Sequence, residues 1–302
     1  MEGVGEVSEG ALPLTIRDIT FRNRVFLASG PAGYGLEYTG LIDLVMLGGI
    51  VTKTITLRPC AGNPGKRLWE TPAGLLNSVG LENVGADLFF EDKLPPLLEA
   101  GIMPIVSLAA EEWEDYRELV AVTAEQNGVD VVEINLSCPN VDRGGMAVGS
   151  DIELVGMYIR HAREFLEDSV VLAKLTPNVS DISSLALAAQ EAGADGITAI
   201  NTVVGMDIDC SAEKPVFSRV RAGLSGPAIM PIALEAVWRT SRAVDIPIFG
   251  SGGISSVDDA RKFFMAGAAA VQVGTAIFYD PGLPERIVEV LEGEGVPSAI
   301  DE

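Results

Sequence analysis

The chain has 302 residues, 48% of them hydrophobic, which is ample for a substantial core in one large α/β domain or two ordinary ones. Its 21 basic and 43 acidic side chains leave a net charge of −22, so nucleic acid and anionic membranes are repelled rather than neutralised, and neither is an expected partner. Three cysteines, Cys60, Cys138 and Cys210, are odd in number and far apart, which disfavours a disulfide framework or a metal knuckle and fits a reducing cytoplasm.

The opening Met-Glu-Gly-Val-Gly-Glu-Val has no basic region followed by an apolar run, and no stretch of about 18 apolar residues follows. A soluble, unexported protein is expected. Leu14 to Arg24 alternates well enough to form a hairpin. Eight β-rich runs then alternate with helical patterns, near Val25 to Ser29, Ile50 to Ile55, Pro104 to Leu108, Val129 to Leu136, Val170 to Leu175, Gly196 to Ile200, Ile246 to Gly250 and Ala270 to Gly274. Between them, Trp113, Tyr116 and Val120, and Ile152, Val155, Ile159, Ala162 and Leu166, repeat at helical spacing and give each segment one apolar face. Asp151 and Asp181 stand where helices begin, and Gly128, Gly193 and Gly267 where helices end. The lone His161 continues an apolar helical stripe without a second ligand at metal spacing, and is expected on a helix surface.

Eight strand-helix units predict an α/β fold, a closed (β/α)8 barrel spanning residues 1 to 302 as one domain, with the hairpin over its floor. The longer connections 56 to 103 and 201 to 245 lack a linker's composition and are expected to be insertions at the C-terminal face.

Barrels of this kind carry their chemistry at the C-terminal ends of the strands. Those ends read Ala28-Ser29-Gly30, Lys53-Thr54, Asn135 to Asn140, Lys174, Asn201-Thr202, Gly250-Ser251-Gly252-Gly253 and Gly274-Thr275. Lysines within apolar strands are costly unless an anion meets them, so Lys53 and Lys174 are either ion-paired core residues or contacts to an anionic ligand. The consecutive turns at Gly252-Gly253 and Gly274-Thr275 occupy the place where barrels bind phosphate through backbone N–H groups. The fourth strand runs into Glu-Ile-Asn-Leu-Ser-Cys-Pro-Asn-Val-Asp-Arg-Gly-Gly, residues 133 to 145, which sets the Cys138 thiol between Asn135 and Asn140. A thiolate there can act as base or nucleophile, amides can hold a planar polar substrate, and Gly144, Gly145 and Gly149 suggest a lid over residues 140 to 149.

Taken together, these segments resemble the dihydroorotate dehydrogenases of class 1B. The resemblance rests on Ala28-Ser29-Gly30, Val51-Thr52-Lys53-Thr54, Gly62-Asn63-Pro64, Glu70 to Asn77, Gly80-Leu81-Glu82-Asn83, Asn135 to Asn140, Lys174 to Val179, Ile200-Asn201-Thr202, Gly223 to Pro227 and the two terminal glycine turns, in order over residues 28 to 275. It implies a flavin mononucleotide (FMN) in the barrel mouth and oxidation of dihydroorotate to orotate in pyrimidine synthesis. Cys138 would be the base for the C5 proton while hydride passes from C6 to the flavin N5. Lys53, Asn77, Asn135, Asn140, Asn201 and Thr202, with the backbone around Val79, Gly80 and Leu81, would bind substrate. Ala28, Ser29, Lys53, Thr54, Asn135, Lys174, Ile200, Gly226, Gly252, Gly253, Gly274 and Thr275 would hold the flavin.

Resemblance to the NAD-linked class rests on Cys138-Pro139-Asn140-Val141 with Gly144-Gly145, and on Asn201 to Met206. It implies a homodimer joined by a second subunit carrying FAD and a [2Fe-2S] cluster, a heterotetramer. This chain has neither cluster cysteines nor a dinucleotide fingerprint, so the partner would supply both. A fumarate-linked homodimer is the nearest variant. A dihydropyrimidine dehydrogenase-like flavin barrel is another, with Asn140 arguing for orotate. A flavin-free isomerase or lyase with Lys53 or Lys174 as base, and an assembly scaffold, are the readings from other classes. The strand-three end, Ser107-Leu108-Ala109-Ala110, departs from the amide and glycine of many relatives, and Cys60 and Cys210 have no expected role.

Overall fold

The computed structural model describes residues 13–137 and 148–300. It opens with a hairpin of β1 (Leu14–Ile16) and β2 (Ile19–Phe21), followed by β3 (Val25–Leu27) and β4 (Gly49–Val51). A second hairpin, β5 (Leu68–Thr71) and β6 (Gly74–Asn77), precedes β7 (Pro104–Leu108), β8 (Val131–Asn135), β9 (Val170–Leu175) and β10 (Gly196–Ala199). Four short strands follow, β11 (Val203–Gly205), β12 (Ile208–Asp209), β13 (Lys214–Pro215) and β14 (Ala222–Ser225), and then β15 (Ile248–Ser251) and β16 (Ala270–Val273). Strands β3, β4, β7, β8, β9, β10, β15 and β16 pair in parallel and close into a barrel, with β9 against β10 and β16 against β3. Their near-continuous apolar sequences follow from burial on both faces.

The helices are α1 (Ala86–Leu88), α2 (Leu94–Glu99), α3 (Trp113–Ala124), α4 (Ile152–Phe165), α5 (Ile182–Glu191), α6 (Met230–Ser241), α7 (Val257–Met265) and α8 (Leu283–Glu294). Asp151 caps α4 by accepting from the Glu153 and Leu154 amides, and Asp181 caps α5 by accepting from Ser183. Gly193 and Gly267 take positive φ directly after the caps of α5 and α7, as their positions predict, and Gly128 does so in the turn that follows α3. Between α1 and α2 the turn widens to π geometry at Phe89–Lys93, because Pro95 and Pro96 lack the N–H groups that would bond back to Glu91 and Asp92.

Two expectations need correction. The first barrel strand is followed by single 3₁₀ turns at Leu36–Tyr38 and Leu44–Met46 instead of an α-helix, since Gly30, Pro31, Gly33, Gly35 and Gly40 interrupt any longer helical run. His161 is buried, not on a helix surface: its ring lies 5.3 Å from Trp113 and 4.8 Å from Phe165, between α3 and α4. Burial, with Arg117 nearby, pushes its pKa down, so the imidazole packs as a neutral ring.

The first hairpin closes the barrel floor. Leu14, Ile16 and Phe21 pack on Phe26, Val51, Ile105, Val131, Val170, Leu172, Phe249 and Ala270, the inward side chains near the strand starts. Phe21, Phe26 and Phe249 meet edge to face, with Phe26 and Phe249 at 5.1 Å and Phe21 and Phe26 at 5.2 Å. At the other end, the two insertions form one structure. Strand β6 pairs antiparallel with β14, so the hairpin of the first connection and the ribbon of the second share a four-stranded sheet ordered β11-β14-β6-β5 over the barrel rim.

Replacing Phe249 with alanine removes a ring from the floor without touching the opposite face. A loss of about 3–5 kcal/mol of unfolding free energy is expected, read from denaturant titration. A loss below about 1 kcal/mol would mean that the floor is not a packed layer.

Candidate active site at the barrel mouth

Each barrel strand alternates inward and outward side chains, and two residues past the apolar floor the inward positions become polar. Val51 is followed by Lys53, Ile105 by Ser107, Val131 by Glu133 and Asn135, Leu172 by Lys174, Phe249 by Ser251 and Ala270 by Gln272. The expected strand-top residues therefore meet in one place.

They are joined by hydrogen bonds between strands. The Thr54 hydroxyl pairs with the Ser107 hydroxyl at 2.9 Å and with that of Ser29 at 3.2 Å, and Ser29 donates to the Thr52 carbonyl at 2.7 Å. Asn135 donates its amide to Thr54 at 3.3 Å, and Asn201 donates to the Asn135 carbonyl oxygen at 3.3 Å. The Asn201 side chain accepts from the Thr202 amide at 2.8 Å. Ser107, at the end of the third barrel strand, belongs to this relay. Below it lies a second polar layer, of which the sequence singled out Lys174 but not its partners. Lys174 Nζ is 3.2 Å from Glu133 Oε1, while Thr198 donates to Glu133 Oε2 at 2.9 Å and Gln272 donates to the same oxygen at 3.2 Å. Lys174 is thus ion-paired and at a strand top at once. The inward parity of Glu133, Thr198 and Gln272, shared with Asn135 and Lys174, is the signal that could have found them.

Lys53 is the other cation, held by its backbone amide on the Gly33 carbonyl at 2.6 Å. Burial lowers its pKa, partly offset by Glu82 and Cys60. Those two residues bracket the segment Val79-Gly80-Leu81. Gly80 has φ +73° and Leu81 φ +54°, Cys60 Sγ lies 3.4 Å from the Gly80 carbonyl, and Asn63 bonds the Val79 carbonyl and both Ser78 oxygens. Cys60 therefore backs the loop beside Lys53, a placement that spacing alone did not reveal. Asn77 ends β6 and donates to the Gly223 carbonyl at 3.1 Å. A Cβ at Gly223 would fall 2.3 Å from the Thr202 hydroxyl, so glycine there lets β14 press Asn77 and Thr202 together.

The glycine rim also has a basis in packing. At Gly253, φ is +80° and an added Cβ would lie 2.7 to 2.8 Å from Met230 atoms, while at Gly252 it would meet Ala233. Close approach of α6 itself demands these glycines. Gly226, at φ +89°, abuts Gly74, and Gly274 precedes a 3₁₀ turn in which Thr275 bonds Ser225 at 2.8 Å. Ala28 and Ile200 are buried beneath this rim, tied by their amides to Val273 and Ser251. Cys138, Asn140, Gly144 and Gly145 lie outside the described residues. Gly149, expected to be part of a lid, packs under Leu136, whose carbonyl accepts its amide at 2.7 Å. Beside the cluster, the hairpin and the last 3₁₀ turn frame a groove of about 570 Å³ lined by Leu68, Trp69, Glu70, Leu75 and Phe278.

The donor set fits a flavin. Hydroxyls and amides match a heterocycle's donors and acceptors, a lysine reaches the same mouth, and paired turns follow the last two strands. Among the described residues, no group of three or more His, Cys, Asp or Glu side chains is placed to hold a metal ion, and no helix is long and apolar enough to cross a membrane.

Comparison with known sequences matches residues 11–294 to the family described as dihydroorotate dehydrogenase. Among curated proteins, the chain is 46% identical over 282 residues to the dihydroorotate dehydrogenase B (NAD(+)) catalytic subunit of Thermoanaerobacter sp., covering 93% of this chain and 92% of the relative. The subunits of the same name from Citrifermentans bemidjiense and Solidesulfovibrio magneticus are 43% and 46% identical, over 93% and 89% of this chain and 92% and 88% of their own.

Lys53→Met removes a desolvated cation. The ligand-free protein is expected to keep or raise its melting temperature, while affinity for a carboxylate ligand of the mouth falls at least about tenfold, roughly 1.4 kcal/mol. The lowered pKa means that protonating Lys53 opposes folding most at low pH, with relief as pH rises toward the ordinary lysine range. Thermal unfolding with and without ligand measures both effects, and a lower melting temperature in the free variant would contradict this account.

Proposed function

The chain belongs to the dihydroorotate dehydrogenase family, and from that premise we propose that it is the FMN-bearing catalytic subunit of an NAD-linked enzyme that oxidises dihydroorotate to orotate in pyrimidine synthesis. The observation that carries this reading is the convergence, in a chain of this family, of Thr54, Asn135, Asn201 and Lys174 on one barrel mouth, with Lys53 next to Thr54 in the chain. When bound, FMN supplies the acceptor for the hydride that leaves substrate C6.

The chain's own residues do the rest. Lys53 offsets the substrate carboxylate, and Asn77, Asn135, Asn140, Asn201 and Thr202 pair with the ring amides, with the backbone at Val79, Gly80 and Leu81 closing one side. Cys138, as thiolate, takes the C5 proton, so that loss of a proton and a hydride together leaves the C5–C6 double bond of orotate. Ala28, Ser29, Thr54 and Ile200 would hold the flavin ring, and Gly226, Gly252, Gly253, Gly274 and Thr275 would cradle its phosphate. Lys174 sets a positive charge where the reduced ring gathers negative charge.

A partner subunit holding FAD and a [2Fe-2S] cluster would supply the route by which electrons leave. The name catalytic subunit, carried by the relatives, supports a partner, and three cysteines in this chain are one short of the thiolates that such a cluster takes. The assembly is a cytoplasmic heterotetramer built on a homodimer of this chain, each copy acting as one domain.

Purified with its co-expressed partner, the wild-type protein is expected to be yellow, and dihydroorotate to bleach it anaerobically and drive NAD reduction. Colourless protein after FMN reconstitution would overturn the reading, and reduction of fumarate in place of NAD would move it to the homodimeric variant. Cys138→Ala is expected to retain FMN and orotate yet slow stopped-flow flavin reduction by about 100-fold or more. In the wild type this rate rises with pH as the thiol ionises. Reduction of the alanine variant at wild-type speed would remove Cys138 from its role.

A further inference from the structure

Glu133 has no solvent exposure, and neither family membership nor the motif around Cys138 gives it a task. Three strands besides its own fix its carboxylate. Lys174 from β9 takes one oxygen at 3.2 Å, and Thr198 from β10 and Gln272 from β16 donate to the other at 2.9 and 3.2 Å. Gln272 also donates to Thr198 at 3.3 Å, which leaves its buried Oε1 without a partner. A fully buried acid held this tightly costs desolvation, and replacing such a pair by hydrocarbon is often neutral or stabilising, so fold stability alone does not account for it. Among the described residues, its charged partner is the lysine at the mouth end of the same layer.

Resting on the flavin reading above, we infer that Glu133 is a positioning residue that sets the reduction potential of the flavin through Lys174. The carboxylate fixes the ammonium under the mouth and at the same time cancels part of its field. Thr198 and Gln272 decide how much is cancelled, because each hydrogen bond to Oε2 spreads the carboxylate charge away from Lys174. In a dry interior such fixed charges act over short distances with little screening. A positive charge near the ring favours the reduced, more negative flavin. Removing the carboxylate therefore raises the potential, and stripping a donor from it lowers the potential.

The test compares FMN-loaded Glu133→Gln and Thr198→Val with the wild type by equilibrium titration against a reference dye, with sulfite affinity of the oxidised flavin as a second readout. Neither needs turnover. Glu133→Gln is expected to shift the reduction equilibrium at least tenfold toward reduced flavin, about 30 mV for a two-electron couple, and to tighten sulfite binding in parallel. Thr198→Val is expected to shift both about twofold to threefold the other way. Loss of packing does not produce shifts of opposite sign. An unchanged or lowered potential in Glu133→Gln, or a folded variant that no longer retains FMN, overturns the inference. Should that variant fail to fold, Thr198→Val decides alone: a lowered potential supports the inference and an unchanged or raised one refutes it. A yellow wild type with variants of identical potential defeats only this inference, whereas a wild type that takes up no FMN defeats the reading beneath it.

Discussion

Closure of eight parallel strands forces every second residue of each strand into one shared interior, and the contents of that interior change along its axis. At the strand starts it is filled by Phe26, Val51, Ile105, Phe249 and their neighbours, capped by the first hairpin. Two residues further on, the same rows carry Ser107, Glu133, Lys174 and Gln272. The floor excludes water from beneath the polar layer, so those groups must satisfy one another or a ligand. This is why hydroxyls, amides and an ion pair from several strands bond across the barrel, and why the donors left at the mouth sit on or just past the barrel strands.

The shared sheet over the rim completes the mouth from outside. Neither connection contributes a wall alone: β6 brings Asn77, β14 brings Gly223, and their pairing carries Asn77 to Thr202 at the end of a barrel strand. Glycines are demanded where chains press together, at Gly223 by Thr202 and at Gly253 by the start of α6. Substituting either would move the site wall before it touched any ligand.

Much of this was legible in the sequence because parallel strands buried on both faces read as apolar runs, and their ends could be inspected for polar residues. The strand ends at Lys53, Asn135, Lys174 and Asn201 were found in that way. What escaped depends on long-range pairing or on parity deep within a strand. The union of β6 with β14 joins residues about 146 positions apart, beyond any local pattern. Glu133 was visible as part of a motif, but a strand position alone does not distinguish an acid that meets solvent from one that meets Lys174. His161 looked like a surface residue because helical spacing shows which face is apolar, not how far a neighbouring helix covers its edge; Trp113 and Phe165 cover it here. The missing helix after β3 was foreshadowed by five interrupting residues between Gly30 and Gly40, outweighed by the regularity of the other units.

The ion pair under the mouth ties that regularity to chemistry. Glu133, Lys174, Thr198 and Gln272 come from β8, β9, β10 and β16, so their mutual geometry exists only when the barrel is closed and in register. A one-residue slip of any of these strands would turn its polar side chain outward among the helices and leave the remaining charges buried without partners, at a cost of several kcal/mol by the usual scale for a broken buried pair. The polar layer thus penalises wrong registers more severely than an apolar layer would, since hydrocarbon tolerates exchange and an unpaired charge does not. The same cluster that fixes strand register also fixes the direction of the Lys174 charge, so the precision of the mouth follows from the closure of the fold.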